Sequence, residues 1–546
     1  MISLLMLFLF QCEMQTGDSL SFAYDIAMGK GMAHPHHLLF SPIVWLIFKA
    51  GSLFSKEFTP MVAAKIHNIT WGTIGVTLSF YIGKKLFNYT FPAILLSLLL
   101  LVSLEYEIFS STCEVYVSGI ACLMIVFNFC ITTSETVTRK DNILFFLFLS
   151  LAILYNQTCI LIVPALFIFN FSVKSKRHRN TLILIAALLV LTIYISAYIW
   201  QEPEHSPLGF VRFVFAYLVN AEKGWGTLSN LSLNGFLMLL HSQLAVILNI
   251  ENDIHQTNVF WFGILFLVAL TWHLTQYFRK ATFHRERLLL LIWIVCYELF
   301  IFWWTPGYEL LIPMIFPVLL LFVWVIADVM KMLFEKVRNP WTKVASLFMV
   351  MVGCSFTLCK VWLMNYPMIE QFHEGPDPSG VEADWDIQNI DSGYQVIQGY
   401  GPQIGLLYYH HFTESIEVDR FLSAFYYKEP LLDYLKLKKG HGRLIPIWYL
   451  NPWYDNNGTS GIKQPKEWLN FFNYLFDFRK SDSSDSVRMN RYTIILPKEK
   501  SIELPLVKIY PEQKMYPSMQ VFMQQLDSTI LSLKLDKVNV YSGMLK

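Results

Sequence analysis

Ten stretches of this chain are apolar enough, for long enough, to cross or nearly cross a lipid bilayer. That repetition limits the fold more than any other feature. A hydrocarbon core about 30 Å thick calls for roughly 20 mostly apolar residues per helix. The stretches lie near 61–83, 91–109, 114–132, 142–155, 158–172, 180–200, 257–277, 287–304, 308–332 and 342–364. The run from Met1 to Cys12 is only about 18 Å long as a helix and lacks the basic region and cleavage site of a signal peptide. It reads as the outer part of a first spanning helix with a truncated start. Backbone groups in lipid must be satisfied internally, so the expectation is a polytopic α-helical membrane protein of about eleven spans. Only 15% of the 546 residues are charged, against about 25% in soluble chains, and the deficit falls before residue 366. A net charge of +1 gives no basis for nucleic-acid binding.

The short loops orient the bundle. Lys84 and Lys85, Arg139 and Lys140, the run Lys174 to Arg179, the run Arg279 to Arg287, and the run Lys331 to Lys343 all fall on one face of an eleven-span arrangement. The alternate loops are poor in Lys and Arg or carry Glu105, Glu107, Glu114, Glu202, Glu204 and Glu309. The positive-inside rule assigns the basic face to the cytoplasm. Residues 13–60, 201–256 and everything after 365 are then extracytoplasmic. Residues 1–365 form the membrane domain on this reading, and 366–546 form a soluble domain. In the latter, strand-like runs at 394–398, 415–418, 443–450, 491–496 and 504–510 alternate with helical patterns at 402–411 and 466–478, which suggests a small α/β fold. All eight cysteines precede this region and none forms a zinc-ligand pattern. A domain outside the cytoplasm without cysteine suits a bacterial periplasm, and hence the inner membrane, somewhat better than a eukaryotic ER lumen.

The first extracytoplasmic loop reads TGDSLSFAYDIAMGKGMAHPHHLLFSP. Asp18 and Asp25 stand seven residues apart, two helical turns, so a helix would put both carboxylates on one face. His34, His36 and His37 follow around Pro35, and an apolar stretch from Leu38 to Phe54 reads as an interfacial helix. Acids and histidines at a membrane rim are costly to place without purpose. Three readings fit them: a carboxylate base with imidazoles beside a phosphate; a divalent metal site, although HPHH lacks the i, i+4 spacing of helical zinc motifs; or a capped, solvated loop. The next extracytoplasmic loop, SLEYEIFSSTCEVYVSG, presents Glu105, Glu107 and Glu114 at the same face, which favours a functional cluster.

Gly17-Asp18-Ser19, then Ala33-His34-Pro35 and an apolar run, then Glu114-Val115-Tyr116 one loop later, resemble the GT-C superfamily of membrane glycosyltransferases. The branch they resemble is the one related to protein O-mannosyltransferases. HPHHLLF departs from that branch's HPPGYPLY. The resemblance is sharp over 16–60 and 105–118 and architectural elsewhere. It implies a sugar transferred with inversion from a polyprenyl-phosphate donor to a hydroxyl of a protein Ser/Thr or of an envelope glycan or lipid. Asp18 would be the catalytic base, and Glu114 would orient the acceptor or bind a metal. His34, His36 and His37 would meet the donor phosphate, with Arg212 and Lys223 as second choices. Asp25, Glu105 and Glu107 remain candidates for acceptor or metal contacts, and Mn²⁺ or Mg²⁺ is the candidate ion. A different class, a multi-pass transporter or permease, would need ionisable groups along a path through the spans. The spans hold few: Lys65, His67, Glu298, Asp328 and Lys360.

Overall fold

The computed structural model describes residues 2–9, 12, 17–29, 32–56, 58–131, 138–172, 177–201, 206–215, 231–248, 255–279, 285–304 and 309–374, with six strands beyond them. Contacts divide the chain into two units, Met1–Gln15 with Asp25–Gly375, and Thr16–Tyr24 with Pro376–Lys546.

Helices occupy every segment expected to cross the membrane. In chain order they are α1 (Ile2–Leu9), α2 (Gly17–Met28), α3 (Phe40–Ser52), α4 (Pro60–Phe87), α5 (Thr90–Leu101), α6 (Leu104–Ser111), α7 (Tyr116–Ile131), α8 (Arg139–Tyr155), α9 (Val163–Ser172), α10 (Arg179–Gln201) and α11 (Pro207–Val214). The remaining five are α12 (Leu233–Ala245), α13 (His255–Arg279), α14 (Arg285–Trp304), α15 (Ile315–Lys336) and α16 (Pro340–Glu374). Among the described residues, Arg179–Trp200, Arg285–Trp304, Leu311–Lys336 and Pro340–Glu370 are each long and apolar enough to cross alone. Thr90–Leu101 with Leu104–Ser111 makes a fifth candidate, bent by 62°. The sequence suggests about eleven. The difference has a physical origin: α7 and α8 have 16 and 17 residues, and α4 carries Lys65, His67, Asn68, Lys84 and Lys85 among its 28.

Local chemistry sets the helix boundaries. The Thr59 hydroxyl accepts from Val62 N ahead of Pro60, and α4 stops where Asn88 turns left-handed at φ 58°. Thr138 and Asp141 form a reciprocal capping box at the start of α8. α4 is the spine of the membrane unit, packed against α1, α3, α5, α6 and α7. Gly72 and Gly75 let α6 approach it closely. A Cβ at Gly72 would lie 2.6 Å from Ser110 Oγ, and one at Gly75 would collide with the Tyr106 hydroxyl. Tyr106 uses that approach to donate to Gly72 O at 3.0 Å.

The basic face is knit together by its own charges. Lys85 Nζ donates to Asn128 Oδ1 at 2.8 Å, while Arg179 reaches Asn142 Oδ1 and Phe129 O, each at 3.1 Å. Arg287 grips both oxygens of Asp328 at 2.7 Å, lies over the Trp324 ring, and donates to His273 Nδ1 at 3.0 Å. On the opposite face the α5–α6 bend is stapled. Leu104 N and Glu105 N donate to Ile247 O and Val246 O at 3.2 and 3.1 Å. The Asn365 amide donates to Val102 O and Ile247 O at 2.7 and 2.8 Å.

In the second unit the strands are β1 (Tyr394–Gln398), β2 (Phe421–Ser423), β3 (Arg443–Ile447), β4 (Arg491–Pro497), β5 (Leu531–Lys534) and β6 (Val538–Met544). They form a mixed sheet of order β2-β1-β3-β4-β6-β5. β1 pairs in parallel with β2 and β3, and β3 with β4, while β6 runs antiparallel to both β4 and β5. β1, β3 and β4 match expected strands closely. The expected strands at 415–418 and 504–510, and the helices at 402–411 and 466–478, lie outside the described residues.

If the Gly72 and Gly75 approach sets the position of α6, Gly75→Val should destabilise the protein by about 1–3 kcal/mol through overpacking. Gly353→Ala, whose added Cβ would meet no atom within 4 Å, should be silent. Thermal unfolding in detergent separates the two, and equal midpoints would contradict the packing argument.

Candidate active site

The HPHH loop folds back on itself and onto α8. His37 N donates to His34 O at 3.1 Å, and the His34 and His37 rings stack with centroids 4.1 Å apart. Tyr194 donates its hydroxyl to Pro35 O at 2.6 Å. Beyond α8 the chain breaks at Asn156, whose side chain accepts from Thr158 N and starts a 3-10 turn over Gln157–Ile162. Backbone bonds tie this break to the loop: Gln157 N to His36 O at 2.9 Å, and Leu39 N to Leu154 O at 3.1 Å.

Gln157 bridges two candidate phosphate-binding elements. Its Oε1 lies 2.8 Å from His36 Nδ1, and its Nε2 donates to Val214 O, the last residue of α11, at 3.2 Å. An amide oxygen only accepts, so His36 carries its hydrogen on Nδ1. Arg212 belongs to this same short helix and is exposed. Gln157 thereby links the histidine loop to the end of α11, the helix that carries Arg212. Burial pushes His34 down to about 3, aided by charge repulsion from His36. Burial likewise lowers His36 to about 4, against the Gln157 bond, and holds His37 well below its ordinary value. At neutral pH these rings are uncharged, and the one hydrogen of His36 is spent on Gln157, which leaves its Nε2 an acceptor.

A second set of polar groups is organised by the first turns of α4. Tyr155 OH lies 3.3 Å from His67 Nε2, and His67 Nδ1 lies 2.9 Å from Asn68 Oδ1. Asn68 Nδ2 then donates to Thr112 O at 2.8 Å and Glu114 O at 2.6 Å. Donor logic orders this as a relay: Tyr155 to His67, His67 to Asn68, Asn68 to the 112–114 loop. Phe40, the first residue of α3, sets its ring edge-on to His67 at 5.5 Å. Phe40, three residues after the histidine loop, and the Glu114 loop thus both pack against the opening turns of α4.

Lys65, two residues before His67, is only 8% exposed. Burial and the Glu114 carboxylate hold the Cys113 thiol well above its ordinary value, and the Lys65 ammonium acts the other way. Lys65, Cys113 and Glu114 are therefore electrostatic neighbours. Glu105 and Glu107 are buried on α6, and neither carboxylate oxygen of Glu107 has a hydrogen-bond partner. Asp25 sits half-buried on α2, its carboxyl pushed up to about 6 by burial. Asp18 falls on the first turn of the same helix, and its side chain lies outside the described residues, as does Lys223. Among the described residues, no group of three or more His, Cys, Asp and Glu side chains could hold a metal ion.

Sequence reasoning passed over Lys65, Asn68, Tyr155 and Gln157 as site residues. Lys65-Ile66-His67-Asn68 did carry a signal: three polar residues in the opening turns of an apolar span.

The fold is that of ArnT from Cupriavidus metallidurans in its crystal structure bound to undecaprenyl phosphate. The TM-score is 0.53 over 99% of this chain and 96% of that one, at 11% identity. The apo crystal structure of the same protein gives a TM-score of 0.48 at 12% identity over the same shares. No protein-family model and no curated protein matches the sequence.

The histidine values fix a pH response. Folded His34 and His36 titrate near 3 and 4 instead of 6.5, so acidification below about 6.5 loads protons onto the unfolded chain first and stability falls. Asp25, raised from 3.8 to about 6, opposes this between those values, one carboxyl against three imidazoles. The unfolding midpoint in detergent should therefore drop from pH 7 to pH 5, and His36→Gln should blunt the drop. A midpoint that rises on acidification would overturn the assignment.

Proposed function

We propose that this protein is a glycosyltransferase that moves a sugar, with inversion, from a polyprenyl-phosphate donor to a hydroxyl acceptor at the extracytoplasmic membrane face. The observation that carries this reading is that the segment leaving the HPHH loop at Phe40, buried Lys65 and the Glu114 loop all sit at the opening turns of α4. The fold shared with ArnT, a protein crystallised with undecaprenyl phosphate, supports a donor of that class. The acceptor we favour is a protein Ser/Thr or an envelope glycan or lipid, by the resemblance of the GDS, AHP and EVY motifs to the O-mannosyltransferase-related branch.

In the proposed reaction Asp18 takes the proton of the acceptor hydroxyl as its oxygen attacks the anomeric carbon. The bond from that carbon to the phosphate oxygen breaks, and the electron pair leaves on the phosphate. A phosphate is already a stable anion, so the departure needs positive charge and N–H donors rather than a strong acid. Lys65 supplies the charge, the neutral imidazoles of His34 and His37 supply donors, and Arg212 guards the approach. Glu114, whose backbone carbonyl is held by Asn68, would orient the acceptor, and Glu105, Glu107 and Asp25 are the further candidates for acceptor contacts. The transporter alternative is not favoured: Arg287 and Asp328 pair with each other on the basic face rather than lining a path.

Asp18→Asn should lower transfer by about 10²–10⁴-fold, the usual contribution of a general base, in membranes supplied with a polyprenyl-phosphate sugar. Lys65→Met should weaken donor use more than acceptor use. Asp18→Asn protein that transfers normally would remove the base role. Chelation with EDTA should leave transfer intact; rescue by Mn²⁺ or Mg²⁺ after a loss would instead show that the reaction uses a divalent ion.

A further inference from the structure

A cleft of about 330 Å³ lies inside the membrane unit between α5, α15 and α16. Its lining is apolar and includes Leu99, Val325, Val329, Val350, Gly353 and Thr357. It runs about 12 Å along α16 at 1.5 Å per residue. A Cβ added at Gly353 would meet no atom within 4 Å, so α16 is not packed onto its neighbours here. Only 6% of the apolar window of α16 is buried. The helix that supplies Asn365 to the α5–α6 bend is therefore among the least supported in the membrane unit.

Charge at one end of the cleft selects an occupant. On α15, Val329 and Lys336 are seven residues apart and share a face, and on α16 the same holds for Val350 and Lys343. Both lining stripes therefore reach a lysine two turns toward the basic face. Lys343 Nζ lies 5.3 Å over the Phe334 ring, and Phe334 stacks on Tyr89 at 5.4 Å, so aromatic rings and a cation meet where α5, α15 and α16 begin or end on that face. Tyr89 precedes α5, and Trp341, the second residue of α16, is 82% exposed. An apolar slot above a belt of rings and ammonium groups matches a lipid with an apolar chain and an anionic head at the interface.

We propose that this cleft binds one anionic glycerophospholipid of the basic-face leaflet, with an acyl chain against Gly353 and the headgroup phosphate on Lys336 and Lys343. The bound lipid fills the gap beside α16 and braces the helix that holds the α5–α6 bend. The proposal does not depend on the glycosyltransferase reading.

The full-length protein, exchanged into nanodiscs of equimolar phosphatidylglycerol and phosphatidylcholine, tests this by native mass spectrometry of retained lipid. One phosphatidylglycerol should remain on the wild type, enriched over phosphatidylcholine. Lys336→Gln with Lys343→Gln should weaken retention by roughly 30-fold, taking about fivefold per interfacial lysine. Gly353→Leu should displace the chain and abolish retention while the lysines remain. Equal retention of the two phospholipids, retention unchanged in the double lysine variant, or displacement of phosphatidylglycerol by added undecaprenyl phosphate would each overturn the proposal. The lysine variant alters only the rim, so it decides the matter even if Gly353→Leu folds poorly.

Discussion

A helix that breaks within a bilayer exposes backbone donors and acceptors that no lipid can satisfy, and this protein answers that constraint at the α5–α6 bend. The two pieces turn by 62°. The freed groups at 102–105 are taken up by Val246 O, Ile247 O and the side-chain amide of Asn365. The arrangement beside the opening turns of α4 follows from that repair. Because α6 is held across the bundle rather than along it, Tyr106 can reach the α4 backbone, and the 112–114 loop arrives beside Asn68. Without the repair, the carboxylates of α6 and the loop after it would have no fixed place.

The candidate site rests on a second economy. Asn68 holds two carbonyls of one loop with a single amide, and His67 orients that amide while resting on Tyr155. Removing one member leaves a buried acceptor or donor unmade, which is the expensive way to lose a hydrogen bond. Gln157 plays the matching part for the histidine loop, with one end on His36 and the other on the end of α11. Two amides therefore set the spacing of the candidate loops around them.

Much of this was legible in the sequence because its period and length carry the information. Every apolar stretch became a helix, and the basic loops did gather, as Lys85, Arg179 and Arg287 illustrate. Strands β1, β3 and β4 were visible as short runs rich in branched residues. Contacts made across long sequence separations were not legible. Nothing near Asn365 announces a bond to Val102, 263 residues away, and nothing in Gln157 announces His36. Charge state was hidden as well: three adjacent histidines suggest a cationic patch, and only their burial against α8 makes them neutral. Lys65, by contrast, looked like the awkward end of a span.

Asn365 also lies on the last helix of the membrane unit, ten residues before Gly375, where that unit ends. The helix is fixed again one turn later, where Ile369 is fully buried, so the amide that anchors the bend is backed by packing on its C-terminal side. A shift of this last stretch of helix would act on the carbonyl of Val102 through one amide, and so on the bend from which Glu105 and Glu107 project.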